Sequence, residues 1–252
     1  MTRLNLALVA VAVAGSVAAV GSAQAAEYVQ ATDTFGYYTN ANGAASGTIS
    51  GVGGGGIFEF TRVGYTNPQG LGGTDFSKAL LPSTGPTGKF IAFCLETAER
   101  LETPYLWKVD SLNSAPVMGS SGMMGPRAAD LEYLFGGLYP KFGQATIDGL
   151  IITPQLGFAL QLAVWEIANE NDGTVAYNLQ TGNYKFGDTA DSPDGAFEIA
   201  NAWLASLSAF KAAGYSGSSK WVKAEGLVAL IGTGPGKDQD FVGQVVPIPA
   251  AA

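Results

Sequence analysis

The single cysteine, Cys94, is the feature that most limits how this chain can fold. One cysteine cannot form an internal disulfide, so a chain of 252 residues must be held together by a hydrophobic core. The lack of a disulfide is notable because the chain has the features of an exported protein. Arg3, an apolar run and an A-x-A site ending at Ala25 predict a secretory signal over residues 1–25. We therefore expect the mature chain to be secreted or held at the cell surface.

Charge and composition exclude several classes of function. The chain has 13 basic and 21 acidic residues, a balance that argues against nucleic acid or anionic lipid as a partner. After the signal, no apolar run is long enough to cross a membrane. The chain contains no histidine, which excludes His-dependent hydrolytic triads and His-bearing zinc sites. A lone cysteine excludes thiolate metal clusters, so we expect no metal and no cofactor.

Strand-like segments lie at both ends of the chain and helical segments lie in the middle. "GIFEFTRV", "KFIAFCLE" and "PYLWKVDSL" have strand composition, as do "KWVKAEGLVALIG" and "DFVGQVVPI" near the end. "PRAADLEYLFGG", "TPQLGFALQLAVWEIANEN" and "SPDGAFEIANAWLASLSAFKAAG" have helical spacing, and "TVAYNLQTGNYKF" predicts a hairpin around Thr181 and Gly182. We predict one α+β domain over residues 26–245, with a β-rich sandwich- or barrel-like part and an inserted helical part.

Capping residues predict where the three helices begin and end. The first has Pro126 in its first turn and glycines at its end. Thr153 is the expected cap of the second, before Pro154, and this helix is apolar nearly all round, which is typical of a buried central helix. For the third helix, the predicted cap is Ser192 or Asp194, and Gly214 is the predicted stop.

Two polar side chains in apolar surroundings need a reason. In a strand of period two, Cys94 and Glu96 face one side while Phe93 faces the other. Cys94 could be an inert buried residue, a site of intermolecular disulfide formation, a reactive thiol, or one end of a covalent bond to a partner other than sulfur. Gln161 lies in the central helix, where an unpaired amide costs about 1–3 kcal/mol. A hydrogen bond to a strand backbone would account for it.

Taken together, "FCLE" and "LQLAVW" resemble the paired signatures of the bacterial thioester domains, the TQXA-type modules of surface adhesins. "YLFGGLYP" resembles the turn between those signatures, and the likeness spans roughly residues 85–175. It implies an internal thioester between Cys94 and Gln161, at the junction of the β-rich and helical parts. Leu160 stands where the family has threonine, a departure that removes one hydroxyl beside the bond.

The resemblance also implies a mode of action. A lysine amine or similar nucleophile on a surface protein or other extracellular target would attack the thioester and become cross-linked. The domain would be consumed once, so it would not be an enzyme. The candidate proton acceptors are Glu96 and Glu166, and the side chains expected to shield the bond from water are Phe93, Tyr139, Phe158 and Trp165.

The end of the chain carries a second resemblance. "VVPIPAAA" is similar to the opening of the sorting signals that bacterial exosortases recognise, and it predicts a separate tail over residues 246–252.

Two rival functions are compatible with the same composition. A glycan-acting enzyme can work with paired carboxylates and no histidine, and its candidates would be Asp188, Asp191 and Asp194. We interpret these acids as turn and cap residues, and as poor calcium ligands because their spacing differs from an EF-hand loop. The second rival is a non-covalent scaffold protein of an extracellular matrix or biofilm.

Overall fold

The structure is a computed structural model. It describes residues 27–37, 44–45, 56–66, 72–73, 89–96, 105–116, 122–123, 126–170, 176–182, 185–187, 194–233 and 239–245. The predicted signal over residues 1–25 and the predicted tail over residues 246–252 lie outside these residues. The α+β class is confirmed, since the described residues form an antiparallel sheet and three helices.

The elements follow one another as the sequence predicted in outline, with strands, then helices, then strands. The strands are β1 (Glu27–Tyr37), β2 (Ala44–Ala45), β3 (Ile57–Thr66), β4 (Gly72–Gly73), β5 (Lys89–Cys94), β6 (Tyr105–Asp110), β7 (Thr146–Ile147), β8 (Leu150–Ile151), β9 (Phe186–Gly187), β10 (Leu227–Gly232) and β11 (Phe241–Gln244). The helices are α1 (Pro126–Leu138), α2 (Pro154–Asn169) and α3 (Ala196–Ala212), all between β6 and β10.

The main sheet is antiparallel and returns to its first strand. Its order is β1-β6-β10-β11-β5-β3-β4, and β3 also pairs with β1. Six strands therefore form a closed ring of pairings, with β4 attached to β3. In this ring β5 lies between β11 and β3. Two small sheets, β2 with β9 and β7 with β8, complete the described strands.

The two faces of β5 have different neighbours. On one face, Phe90 packs against Phe60 and Trp107, with ring centroids 5.3 and 6.2 Å away. Ala92 and Cys94 share that face because side chains alternate along a strand. On the other face Phe93 packs against Phe135 of α1, with centroids 5.2 Å apart. The strand is therefore covered by the aromatic cluster of the sheet on one side and by the helical part on the other.

Helix α2 is the central buried helix that its composition predicted. Every residue from Leu156 to Asn169 is buried. The predicted cap is confirmed, because the Thr153 hydroxyl oxygen accepts a hydrogen bond from Leu156 N at 3.2 Å. Helices α1 and α3 both contact α2. Helix α2 is thus buried on all sides, and its few polar side chains must find hydrogen-bond partners inside the protein.

The glycines of α1 have a different role from the predicted one. The predicted glycines do lie at the end of the helix, but α1 continues through Gly136 and Gly137 to Leu138, so neither glycine is itself the stop. A carbon added at Gly136 would lie 1.8 Å from Val222 O, and one at Gly137 would lie 2.4 Å from the Trp221 ring. Because these glycines have no side chain, the segment around Val222, which precedes β10, can pack directly against α1. That packing also explains why β10 begins only at Leu227, later than predicted.

The boundaries of α3 confirm one prediction and correct another. The residue before the helix is Gly195, with φ of 76°, and not Asp194. This left-handed conformation suits glycine, and no side chain caps the helix. Ser192 lies outside the described residues. The predicted stop is confirmed, because Gly214 has φ of 70° and donates from its N–H to Lys211 O at 2.9 Å.

One turn agrees in part with the sequence prediction and another was not predicted. At the predicted hairpin, Thr181 N donates to Asn178 O at 3.1 Å and Phe186 N donates to Leu179 O at 2.7 Å across the turn, while Phe186 also belongs to β9, which pairs with β2. A hairpin that the sequence analysis missed joins β7 to β8. Its turn residues are Asp148 and Gly149, with φ of 52° and 75°, the left-handed pair that a two-residue turn favours.

Candidate functional site

Cys94 is the last residue of β5, and the β3–β5 pairing ends before it, whereas the β11–β5 pairing includes it. It lies opposite Phe241 of β11, and Leu95 N donates to Asp240 O at 2.9 Å beyond it. On the other side, the last pair between β3 and β5 joins Phe58 to Ala92. The backbone edge of Cys94 that faces away from β11 is therefore not covered by the β3–β5 pairing. Cys94 is buried, so its N–H and C=O need partners there.

Gln161 of α2 supplies both partners. Cys94 N donates to Gln161 Oε1 at 3.0 Å, and Gln161 Nε2 donates to Cys94 O at 2.8 Å. The carboxamide thus pairs with the strand end much as another strand would, and it is completely buried. We call this pair of hydrogen bonds the Cys94–Gln161 contact. The structure brings together the two residues named by the motifs, and it also shows the backbone hydrogen bonding that alone would account for a buried glutamine.

Two further amides hold the chain just after Cys94. Asn169 Nδ2 donates to Leu95 O at 3.0 Å and to Trp165 O at 2.8 Å. Gln239 Nε2 donates to Glu96 O. The sequence motifs predicted neither residue. Asn169 follows Gln161 by two helical turns and so shares its face, a spacing that could have identified it. No local signal marks Gln239, which comes from the far end of the chain.

Burial keeps the Cys94 thiol protonated. Desolvation raises the pKa of Cys94 well above its ordinary value, the hydrogen bond at its own backbone lowers it, and the negative charge of Glu96 raises it further. Glu96 is itself buried and lies just beyond the end of β5, two residues after the thiol on which its charge acts. A reaction at this sulfur therefore needs a proton acceptor, and Glu96 is the carboxylate that acts on it.

Glu166, the other candidate proton acceptor, faces a different part of the protein. Its Oε1 accepts from Asn178 N at 2.8 Å, in the turn after α2. Burial raises the pKa of Glu166 to about 8; the Asn178 hydrogen bond lowers it, and the charge of Glu170 raises it. Glu166 lies five residues after Gln161, a spacing that places the two on different faces of α2, and the Asn178 contact agrees with that direction. The structure does not join Glu166 to Cys94.

The four side chains expected to exclude water are all buried: Phe93, Tyr139, Phe158 and Trp165. Tyr139 packs edge-on against Phe93, with centroids 6.0 Å apart, and its hydroxyl oxygen accepts from Gly143 N at 2.6 Å. Trp165 stacks on Phe186 at 5.8 Å. Aromatic packing of this kind leaves little room for water.

The acids proposed for a glycan-acting enzyme do not form a site in the described residues. Asp188 and Asp191 lie outside these residues, and Asp194 is exposed with its carbonyl accepting from the Gln155 side chain. Where the structure is described, it contains no group of three or more His, Cys, Asp or Glu residues that could hold a metal ion. In the same residues, no helix has the length and apolar character needed to cross a membrane.

Comparisons with known proteins add no relative: no family model, curated protein or solved structure matches the chain. The candidate site therefore depends on its motifs and on the geometry of the Cys94–Gln161 contact.

Proposed function

We propose that the mature chain is a secreted or surface-held domain in which Cys94 and Gln161 form an internal thioester, and that this bond captures one nucleophile from an extracellular target. The observation that supports the proposal is the Cys94–Gln161 contact, which holds the carboxamide against the cysteine in a buried site. The bond would lie between the barrel-like ring of strands and the inserted helices, since Cys94 ends β5 and Gln161 belongs to α2.

Formation of the bond needs no cofactor. The Cys94 sulfur attacks the Gln161 side-chain carbonyl carbon, Cδ, and the Cys94 N–H, 3.0 Å from Oε1, stabilises the negative charge that develops on that oxygen. Collapse of the intermediate breaks the bond from Cδ to Nε2. Glu96 takes the thiol proton and returns it to the departing nitrogen, so one sulfur–carbon bond forms and one ammonia leaves. The raised pKa of Cys94 makes this proton transfer necessary.

Capture repeats the same steps with a different leaving group. A neutral amine of the target attacks Cδ, the sulfur departs, and the proton lost by the amine returns to the Cys94 thiol. The target is then joined to Gln161 by an amide bond. Burial protects the thioester from water until a target arrives.

Capture also changes the Cys94–Gln161 contact. The Gln161 oxygen and nitrogen both bond the backbone of Cys94. The amide nitrogen carries two hydrogens, and only the one on the same side as the amide oxygen can reach Cys94 O while that oxygen bonds Cys94 N. In a trans secondary amide, that position is occupied by the substituent. The captured target would therefore collide with Cys94 O, and the side chain must turn away. Loss of ammonia has already removed the Nε2 hydrogen bond from the contact, and the captured amide cannot restore it.

Intact-mass measurement tests the proposal. We expect the purified mature chain to be lighter than its sequence by one ammonia, and Cys94→Ala to have the full sequence mass. Methylamine should add to the wild-type chain and release a free thiol, while Cys94→Ala should not react. Both rival functions require the sequence mass in both proteins. A wild-type chain with its full mass, and a thiol that titrates after unfolding without prior amine treatment, would disprove the thioester.

A further inference from the structure

The indole nitrogen of Trp165 is a buried donor without a partner. Trp165 is 1% exposed, and its Nε1 makes no hydrogen bond within the described part of the chain. Two other tryptophans differ, since Trp107 Nε1 donates to Gln239 O at 3.0 Å and Trp203 Nε1 donates to Asp148 Oδ2 at 2.9 Å. An unpaired buried donor costs about 1–3 kcal/mol, so this N–H needs a use outside the stability of the fold.

Trp165 lies one helical turn after Gln161. Residues four apart share a helix face, and long side chains in a helix lean towards its N-terminus. From this spacing we infer that the indole ring of Trp165 leans over the turn that contains Gln161. Among the described residues, Gln161 Oε1 accepts one hydrogen bond, from Cys94 N. A carbonyl oxygen can accept two, so this oxygen has a place for one more donor.

We propose that the Trp165 N–H is the second donor to Gln161 Oε1 in the transition state, a role that rests on the thioester function proposed above. In both formation and capture, attack at Cδ moves the electron pair of the carbonyl bond onto Oε1, and its return expels ammonia or the Cys94 sulfur. A donor that is idle in the ground state and bonds the oxygen only when it becomes negative lowers the barrier without stabilising the reactant. Trp165 is then a catalytic residue as well as a shield.

The test compares two substitutions at one ring stack. Trp165→Phe keeps an aromatic ring against Phe186 and removes the N–H, whereas Phe186→Leu weakens the same stack and leaves the N–H in place. For each chain we would measure the fraction that has lost ammonia, the rate of methylamine addition by intact mass, and the free energy of unfolding. If the smaller phenylalanine prevents folding, benzothienylalanine at position 165 is the alternative variant. Its ring system has the size of indole but carries sulfur in place of the N–H.

We expect removal of the N–H to slow methylamine addition by about 10²-fold or more, the effect of deleting one donor of this kind, and to delay the loss of ammonia. Phe186→Leu should retain nearly the wild-type rate even where its stability falls. An unslowed Trp165→Phe chain, or equal slowing in Phe186→Leu, would overturn the role of Trp165 while the wild-type mass still supports the thioester. A wild-type chain with its full mass would overturn both.

Discussion

The Cys94–Gln161 contact should stabilise the fold even when no thioester can form. Cys94→Ala removes the sulfur but keeps the backbone groups that Gln161 bonds. Adding Gln161→Met to that variant replaces the carboxamide by an apolar group of similar length. We expect the double variant to be clearly less stable than Cys94→Ala alone, because the end of β5 then has two buried polar groups without partners.

The structure gives the size of this effect. The two hydrogen bonds, of 3.0 and 2.8 Å, are both buried, and Gln161 is completely inaccessible. Removing the carboxamide leaves one N–H and one C=O of residue 94 unpaired, at about 1–3 kcal/mol each. The free energy of unfolding should therefore fall by about 2–6 kcal/mol, and the apolar methionine offsets part of this range.

Urea unfolding of the two variants, followed by tryptophan fluorescence, measures the difference. Gln180→Met in the Cys94→Ala chain is the matched control, because Gln180 is exposed and a surface change of this kind stays within about 0.5 kcal/mol. If the double variant and the control unfold with the same free energy, the carboxamide does not support β5. Any reactivity at Cys94 would then have a cause other than the Cys94–Gln161 contact.

Local signals were sufficient to predict most elements. Thr153 before Pro154, followed by an apolar segment, predicted α2 and its cap, and the structure confirms both. The apolar run around Cys94 predicted β5, which ends at that residue. These predictions succeed because a cap, a proline or an alternating run acts within a few residues of itself.

The geometry of the site could not be predicted in the same way. Cys94 and Gln161 are 67 positions apart, and composition and motifs could name them but not their two hydrogen bonds. Those bonds exist because the β3–β5 pairing stops at Phe58 and Ala92, two residues before Cys94, which needs a partner. The residue at which one strand stops pairing with the next depends on how the whole ring of strands closes. The spacing of residues within either segment does not predict that position.

The failed predictions have the same cause. Gly136 and Gly137 predict a helix stop, which is what glycines near the end of an apolar pattern usually indicate. Their true neighbours, around Val222, come from a segment far along the chain. The residue before α3 is Gly195, whose backbone is left-handed, and not the predicted Asp194. Glycine permits both a stop and a close approach, and tertiary contacts decide between them.

Two further predictions concern α1 and α2. Gly136→Ala should lower the free energy of unfolding in urea by several kcal/mol, about 3 or more, because the added carbon would lie 1.8 Å from Val222 O. Gly149→Ala meets no atom within 4 Å, so it should cost only the strain of its positive φ, about 1–2 kcal/mol. For Glu166→Gln, we expect a change in how the free energy of unfolding depends on pH. Burial raises the pKa of Glu166 from 4.5 to about 8, so between these values the folded chain keeps a proton that the unfolded chain releases. Unfolding then releases a proton, and the stability contributed by this residue falls as pH rises through that window. The glutamine can still accept from Asn178 N but cannot titrate, so the wild-type chain should lose stability relative to Glu166→Gln from acidic to neutral pH. A difference between the two chains that stays constant over that range would show that Glu166 titrates normally, and hence that its carboxylate is reached by water.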